Sequence, residues 1–359
     1  MSVTLCPWDD GGGSDSEEDD WLFSSLSLYN QLLMFHLTVQ AGNVDLPPSG
    51  NTLVVGDRDK QELVVYRLPS KLMAGSKEQE GLTSNRDFGL VAGTVDAGKV
   101  KEVKFMGEER LVTCREGGEG VDVWGWGEED LLVRREVLDK CGFEPEVLAV
   151  REGECLLGGG NLVGKRKLED GAWKCRKLDG KGDICSLYSE GDSEVVWVGQ
   201  TGGVVSCVDW RVEGVARQLK LGGAEGDRWD TAFLPHRDSV GVVGVSSAKG
   251  GCVGLWDTRQ ASTPVCQKPL HLPPTLCRAD SVPQVVAECG TVLLSMGHTV
   301  SVFNPANLKM LFQHEGHKQK DQVVNVTSLA IHPTVERLVI SGDSRQRLHA
   351  WIFNPDAKT

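Results

Sequence analysis

The chain contains no run approaching about 18 apolar residues, so no helix of bilayer length is expected. Its first residues lack a basic segment followed by an apolar one, and a secretory leader is not expected. Eleven cysteines are scattered along 359 residues without a single C-x-x-C pair. In a chain without a secretion signal they read as reduced, small, buried hydrophobes, not as a disulfide framework or zinc ribbon. The sequon Asn325-Val326-Thr327 therefore carries no expectation of glycosylation. Basic residues are the minority, 38 Lys and Arg against 51 Asp and Glu, for a net charge of −13. That excludes a general nucleic-acid surface, which needs a basic stripe. There is no nucleophile elbow, no H-E-x-x-H and no Ser/His/Asp grouping with supporting context. The acids fall in turns, so catalysis is not expected.

What the chain does have is glycine, 43 of 359 residues, well above the usual share of about 7%. Glycine at this level without low complexity suits short antiparallel strands joined by tight turns. The clearest unit is the last fifty residues. Gly316-His317 opens it, and Val326 to Ile331, Arg337 to Asp343 and Leu348 to Trp351 are short apolar runs separated by turns. Similar strand ends recur at Leu63-Val64-Val65-Tyr66, Val121-Asp122-Val123-Trp124, Val204 to Asp209, Val253 to Asp257 and Val300 to Asn304. Trp351, Phe303, Trp256 and Val208 are spaced 48, 47 and 48 residues apart, and Val208 lies two steps of 42 beyond Trp124. With one step near Leu162, and one step plus an insertion back to Tyr66, this gives seven units of propeller-blade length. The fold class is therefore all-β, a seven-bladed β-propeller over 31–356.

Taken in order, residues 1–18 form an acidic tail that buries too little apolar area to offset its ordering entropy, and disorder is expected. Ser14 and Ser16 each have an acid three residues on and are candidate phosphorylation sites. The stripe Leu22, Leu26, Tyr29, Leu33 predicts a helix over 19–30 capped by Asp19 or Asp20. It would pack on the propeller, or present Trp21 and Phe23 to a partner. The run 31–38 has no hairpin mate, while the last blade ends too near the C-terminus to hold its outer strand. Residues 31–38 are therefore expected to supply that strand and close the ring. Blades two to seven are placed at 99–138, 146–178, 183–220, 228–270, 283–313 and 324–353. A polar insertion falls at 70–85, and a proline-rich link at 264–283.

Four motifs have competing readings. Gly159 to Lys165 matches G-x-x-x-x-G-K, but Arg166 follows where a magnesium-binding hydroxyl is needed, and a turn follows too soon for a helix; a hairpin is expected. His314 and His317 lack the further ligands a zinc site requires, and no metal or cofactor is expected. Lys165-Arg166-Lys167 reads as a solvated strand end, or as a nuclear-import signal. Trp256-Asp257-Thr258-Arg259 reads as a third strand and its turn. It also matches the W-D-x-R pattern by which some propellers engage the adaptor of cullin-four ubiquitin ligases, with Asp209 and Arg211 offering a second D-x-R.

Asp19 to Tyr29, Arg86-Asp87-Phe88, Arg228-Trp229 and Leu311 to His317 together resemble the WD repeat-containing protein 73 family of vertebrates, within the WD-repeat propellers. The resemblance spans about residues 19–355. It implies a non-enzymatic interaction scaffold that assists assembly of the Integrator RNA-cleavage module. The partners it implies are Integrator subunits nine and eleven, BRCA1-associated ATM activator and tubulin, with roles at spindle poles and in cell division. It also implies a cytoplasmic protein with a nuclear pool, monomeric alone. Where such blades place Asp six residues before tryptophan, this chain has Arg345 and Gly250. The hydrogen-bonded His-Ser-Asp-Trp set is thus expected to be incomplete.

Overall fold

A computed structural model describes residues 3–4, 25–57, 59–73, 87–138, 140–151, 153–168, 171–179, 182–189, 193–222, 228–236, 239–246, 251–260, 263–270, 284–288, 290–319 and 322–356. Seven antiparallel blades stand in a ring. Blade one comprises Asn43–Asp45, Thr52–Gly56, Leu63–Arg67 and Gly89–Thr94, and blade two Val100–Met106, Arg110–Arg115, Val121–Trp126 and Leu132–Leu138. The inner strands of blades three to seven are Val147–Arg151, Ile184–Ser189, Trp229–His236, Gln284–Glu288 and Val326–Ile331. Each inner strand packs beside the next, and that of blade seven returns to that of blade one.

The strands are apolar on both sides because each blade is sandwiched between two others, so simple alternation is blurred. Leu338–Asp343 and Glu154–Gly159 are buried along their whole length. A separate hydrophobic cluster fills each of the seven gaps between adjacent blades. Trp124, Trp256 and Trp351, all on third strands, are nearly inaccessible and face the preceding blade. Their spacing is the period visible in the sequence.

The outer strand of blade seven comes from the other end of the chain. Tyr29–His36 pairs antiparallel with Arg347–Phe353, from Tyr29 opposite Phe353 to His36 opposite Arg347. Val3–Thr4 lies parallel on its far edge, opposite Leu32 and Leu33. Gly50 sits at the same closure. It has φ +70°, and a Cβ there would meet the His332 ring at 2.2 Å, so only glycine fits.

Of the helix expected over 19–30, only Ser25 is α-helical among the described residues. Residues 26–28 form one 3-10 turn, and strand begins at Tyr29. The i, i+4, i+7 spacing of Leu22, Leu26 and Tyr29 is too short a signal to separate helix from a buried strand. Main-chain pairing with the last blade decides in favour of strand. Residues 19–24 and the acidic tail, Val3–Thr4 excepted, lie outside the described residues. Of the insertion, Ser70–Met73 forms a helical turn that buries Leu72 against the first blade's core; 74–86 lie outside. The link 271–283 lies outside as well.

Candidate functional site

Polar chemistry concentrates in the closing blade. His317, from the Gly316-His317 step, is fully buried, with Nδ1 2.8 Å from Asp343 Oδ2 and Nε2 2.9 Å from Ser341 Oγ. Trp351 Nε1 donates to the same Ser341 oxygen at 3.2 Å. The His-Ser-Asp-Trp set is therefore complete in blade seven, contrary to the sequence expectation. Asp343, eight residues before Trp351, supplies the carboxylate from a longer turn, which it caps by accepting the Arg345 and Arg347 amides. Arg347 Nε also donates to Asp343, at 2.8 Å. Desolvation works to raise Asp343, but the His317 bond and the charges of His317 and Arg347 hold it below the usual carboxylate range.

A second buried run joins this set. Tyr29 Oη lies 2.7 Å from His314 Nδ1, and His314 Nε2 lies 2.9 Å from His349 Nδ1. Both links are made when Tyr29 O–H donates to His314 and His314 Nε2–H donates to His349, which leaves the buried His349 Nε2 without a partner among the described residues. Burial pushes the Tyr29 hydroxyl far up, which keeps it a neutral donor. Burial also drives His314 and His349 well below the ordinary imidazole range. The ligand nitrogens of His314, His317 and His349 lie within 4.8 Å of one another, a metal-like composition. Their orientation does not gather on one point. His317 and His349 are stacked, 10° between planes and 4.0 Å between centroids, whereas an ion lies in the plane of every imidazole that binds it. The cluster acts as a hydrogen-bonded core that ties the closing strand to blades six and seven. Sequence reasoning found His317 and missed Tyr29, His349 and Asp343; the Asp343-to-Arg347 turn was the one signal available.

The inner strands carry a second polar system. Asp45 accepts the Phe105 amide at 2.7 Å, and Glu102 accepts that of Leu148. Arg151 donates to Ser189 Oγ at 2.6 Å, and Ser186 bonds Thr231. Asp230 accepts the Val285 amide at 2.9 Å. Gln284 Nε2 donates to the Thr327 carbonyl at 2.9 Å, and Ser328 donates to that of Ala41 at 2.9 Å. Every junction between neighbouring blades thus has an inner-strand polar link. Lys104 stands 3.3 Å from Asp45 and 3.9 Å from Glu102, and Asp45 beside it pulls its ammonium up. Desolvation pushes Asp45 and Glu102 up, and Asp230 up to about 7.

The D-x-R turns are on the surface. Trp256 is buried edge-on against Trp229, so Asp257 and Arg259 are the outward part of that motif. Arg259 Nη2 lies 2.7 Å from Asp257, and Arg211 Nη2 lies 2.7 Å from Asp209 in the preceding blade, a repeated geometry. Trp21, Phe23, Ser14 and Ser16 lie outside the described residues. Lys165 and Arg166 are buried, and Lys165 pairs with Glu154 and Glu194 at 3.4 and 3.1 Å. They are therefore not a solvated strand end: facing carboxylates on the paired strand and next blade take in Lys165. Gly159 closes one strand and Leu162 opens the next, an antiparallel hairpin.

Eight described cysteines are free thiols. Burial pushes Cys155 and Cys185 up to about 12 and Cys114 higher, so they are not ready nucleophiles. Open grooves of about 380 Å³ and about 660 Å³ lie on the flanks of blade two, and neither is lined by His, Cys or Ser.

No protein-family model matches the chain. It is similar to three proteins, each named Integrator complex assembly factor WDR73. It is 23% identical to that of Danio rerio over 94% of this chain and 97% of the relative. It is 24% identical to that of Xenopus laevis over 92% and 96%. It is 24% identical to that of Homo sapiens over 93% and 97%. The resemblance read from the residues thus extends over nearly the whole chain, and the propeller agrees with it.

Proposed function

We propose that this protein is a non-enzymatic scaffold that assists assembly of the Integrator RNA-cleavage module. The carrying observation is end-to-end similarity to proteins named as Integrator complex assembly factors, on a chain that folds as a complete seven-bladed ring. A rigid disc with many loops suits holding partners together, because binding resides in loops and rims. The partners proposed are Integrator subunits nine and eleven with BRCA1-associated ATM activator, in a cytoplasmic and partly nuclear protein that is monomeric alone. Tubulin and spindle-pole association extend the proposal to cell division. Direct binding to nucleic acid or membrane is not part of it. Affinity purification of the full chain with mass spectrometry tests it: recovery of the nuclease subunits is expected, and their absence from repeated purifications refutes it.

A second reading is favoured by one observation, the paired D-x-R turns at Arg211 and Arg259, exposed on adjacent blades. It makes the chain a substrate receptor of a cullin-four ubiquitin ligase. Arg259→Ala then abolishes recovery of the ligase adaptor while the fold is kept.

A further inference from the structure

Blade two differs from its neighbours at the rim. Its outer strand, Leu132–Leu138, has seven residues, against six in blade one and four each in blades three, four and five, Lys174–Lys177, Arg217–Lys220 and Cys266–Pro269. It pairs with Val121–Trp126 on one side. Among the described residues its outward edge has no main-chain partner beyond the bridge from Leu131 to Gly93 of blade one. An edge of this length is ordinarily blunted or covered. Here it carries Leu131, Val133 and Val137, 54%, 38% and 55% exposed.

The ground beside it is bare backbone. A Cβ on Gly127 would meet Val133 at 2.4 Å, and one on Gly125 would meet Arg135 at 3.1 Å, so these side chains lie over glycines. The result is the open groove of about 660 Å³. At its end stands the hairpin tip Glu128-Glu129-Asp130, all exposed. Glu129 and Asp130 have φ +53° and +57°, and bonds from Gly127 N–H to Leu131 O (2.8 Å) and Leu131 N–H to Glu128 O (3.2 Å) fix the turn. Three carboxylates are thereby held at one end of a strand edge that is apolar from Leu131 to Val133 and charged at Arg134, Arg135 and Glu136. The regular register stops at the bulge between Arg134 and Glu136.

We infer that this rim is a strand-addition site for a partner protein. An extended segment pairs with the edge from Leu132 to Arg134, beyond the Gly93 bridge, sets aliphatic side chains against Leu131 and Val133, and places basic residues against Glu128, Glu129 and Asp130. A second copy of this chain is a poor occupant, because it brings another acidic tip against the first. The inference rests on the scaffold reading and names one surface that serves it.

The test uses the full chain and a fluorescein-labelled octapeptide of alternating valine and threonine ending in two lysines, made with the lysines at either end. A control peptide has two glutamates in their place. By fluorescence anisotropy, at least one lysine peptide is expected to bind tenfold or more tightly than the control. Val133→Glu is expected to lose that binding, and Glu128→Lys with Glu129→Lys to reverse the charge preference, with melting temperatures near wild type. Equal binding of both peptide types, or of wild type and both variants, overturns the proposal. So does a concentration-dependent dimer in sedimentation that Val133→Glu dissolves. Affinity purification from cells separates the two claims, with Val212→Glu on blade four as an exposed apolar control. Wild type without Integrator subunits defeats the scaffold reading. Wild type with them, and Val133→Glu with as much, defeats the rim assignment alone.

Discussion

Removing residues 1–38 deletes the closing strand, and the structure sets the size of the effect. Tyr29, Leu32, Leu33, Phe35 and Leu37 are each at most 6% exposed, packed between the strands of blade seven and the cores beside it. Burying one such side chain contributes roughly 1.5–3 kcal/mol, so the five together contribute about 8–15 kcal/mol before any hydrogen bond is counted. A domain's whole stability is about 5–15 kcal/mol. The ring should therefore not survive the loss as a cooperative unit. Removing residues 1–24 takes away, among the described residues, only the two-residue pairing of Val3–Thr4, worth about 1 kcal/mol. In a chain this size 1 kcal/mol moves the melting temperature by roughly 2–4 °C. Thermal and urea unfolding of both truncations is the assay. The shorter deletion should melt within about 4 °C of the full chain. The longer should melt more than about 15 °C lower, or show no cooperative transition, and a peptide of residues 25–40 should restore it. Equal melting of the two truncations would refute the reasoning, because the strand would then be an ornament on an already closed ring.

Tyr29→Phe keeps the aromatic packing and removes the hydroxyl that bonds His314, and a loss of about 1–3 kcal/mol in urea unfolding is expected. Acid should weaken the closing blade with a definite sign. Folded His314 and His349 stay neutral well below 6.5, while the unfolded chain protonates both near 6.5. Stability contributed above pH 6.5 is thus lost as pH falls, by about 1.4 kcal/mol per pH unit for each histidine. Asp230 acts in the opposite direction. Its folded value of about 7 lies above the unfolded 3.8, so its contribution grows as pH falls through 7. Asp230→Asn should accordingly steepen the acid loss between pH 7 and 5, measured by urea midpoints; an unchanged profile would count against the buried assignment. Arg259→Ala should change unfolding free energy by less than about 0.5 kcal/mol, since that side chain is 59% exposed and pairs within its own turn.

The seven-blade ring was legible because third strands end in large side chains wedged between blades, and Trp124, Trp256, Phe303 and Trp351 keep time along the sequence. Asn43–Asp45 gave almost no signal, being three residues long with one of them fully buried. Tyr29 was assigned to a helix because its neighbours' spacing fits one, and only pairing with Phe353, more than three hundred residues on, makes it strand. The Asp343 carboxylate was missed because the spacing rule assumes a short turn before tryptophan. The run from Tyr29 to His314 to His349 draws on three blade elements far apart in sequence, so no local pattern holds it. The rim of blade two was hidden for another reason: a long outer strand with exposed valines reads the same as one facing a core.

The inner ring explains why recognition is expected outside it. An inner strand has a ladder partner on only one side, so the polar main chain on the other side needs partners at every junction. Here the solutions differ. Asp45, Glu102 and Asp230 use carboxylates on main-chain amides, and Gln284 an amide and Ser328 a hydroxyl on main-chain carbonyls, while Arg151 and Ser186 bond side-chain hydroxyls of the next blade. The apolar wedges between blades are much alike and would tolerate exchange. These links differ in length and charge, and each fits one neighbour, so they distinguish blade order where the wedges do not. The same commitment removes those groups from other work. Carboxylates desolvated and bonded to main-chain amides are poor ligands for a passing partner, and the histidines at the closure are bonded to one another. What is left exposed is at the circumference, where the chain places turn arginines paired within their own turns, an acidic tip and, among the described residues, a strand edge with one bridge. A ring that spends its polar groups on holding itself together has its rim left for holding others.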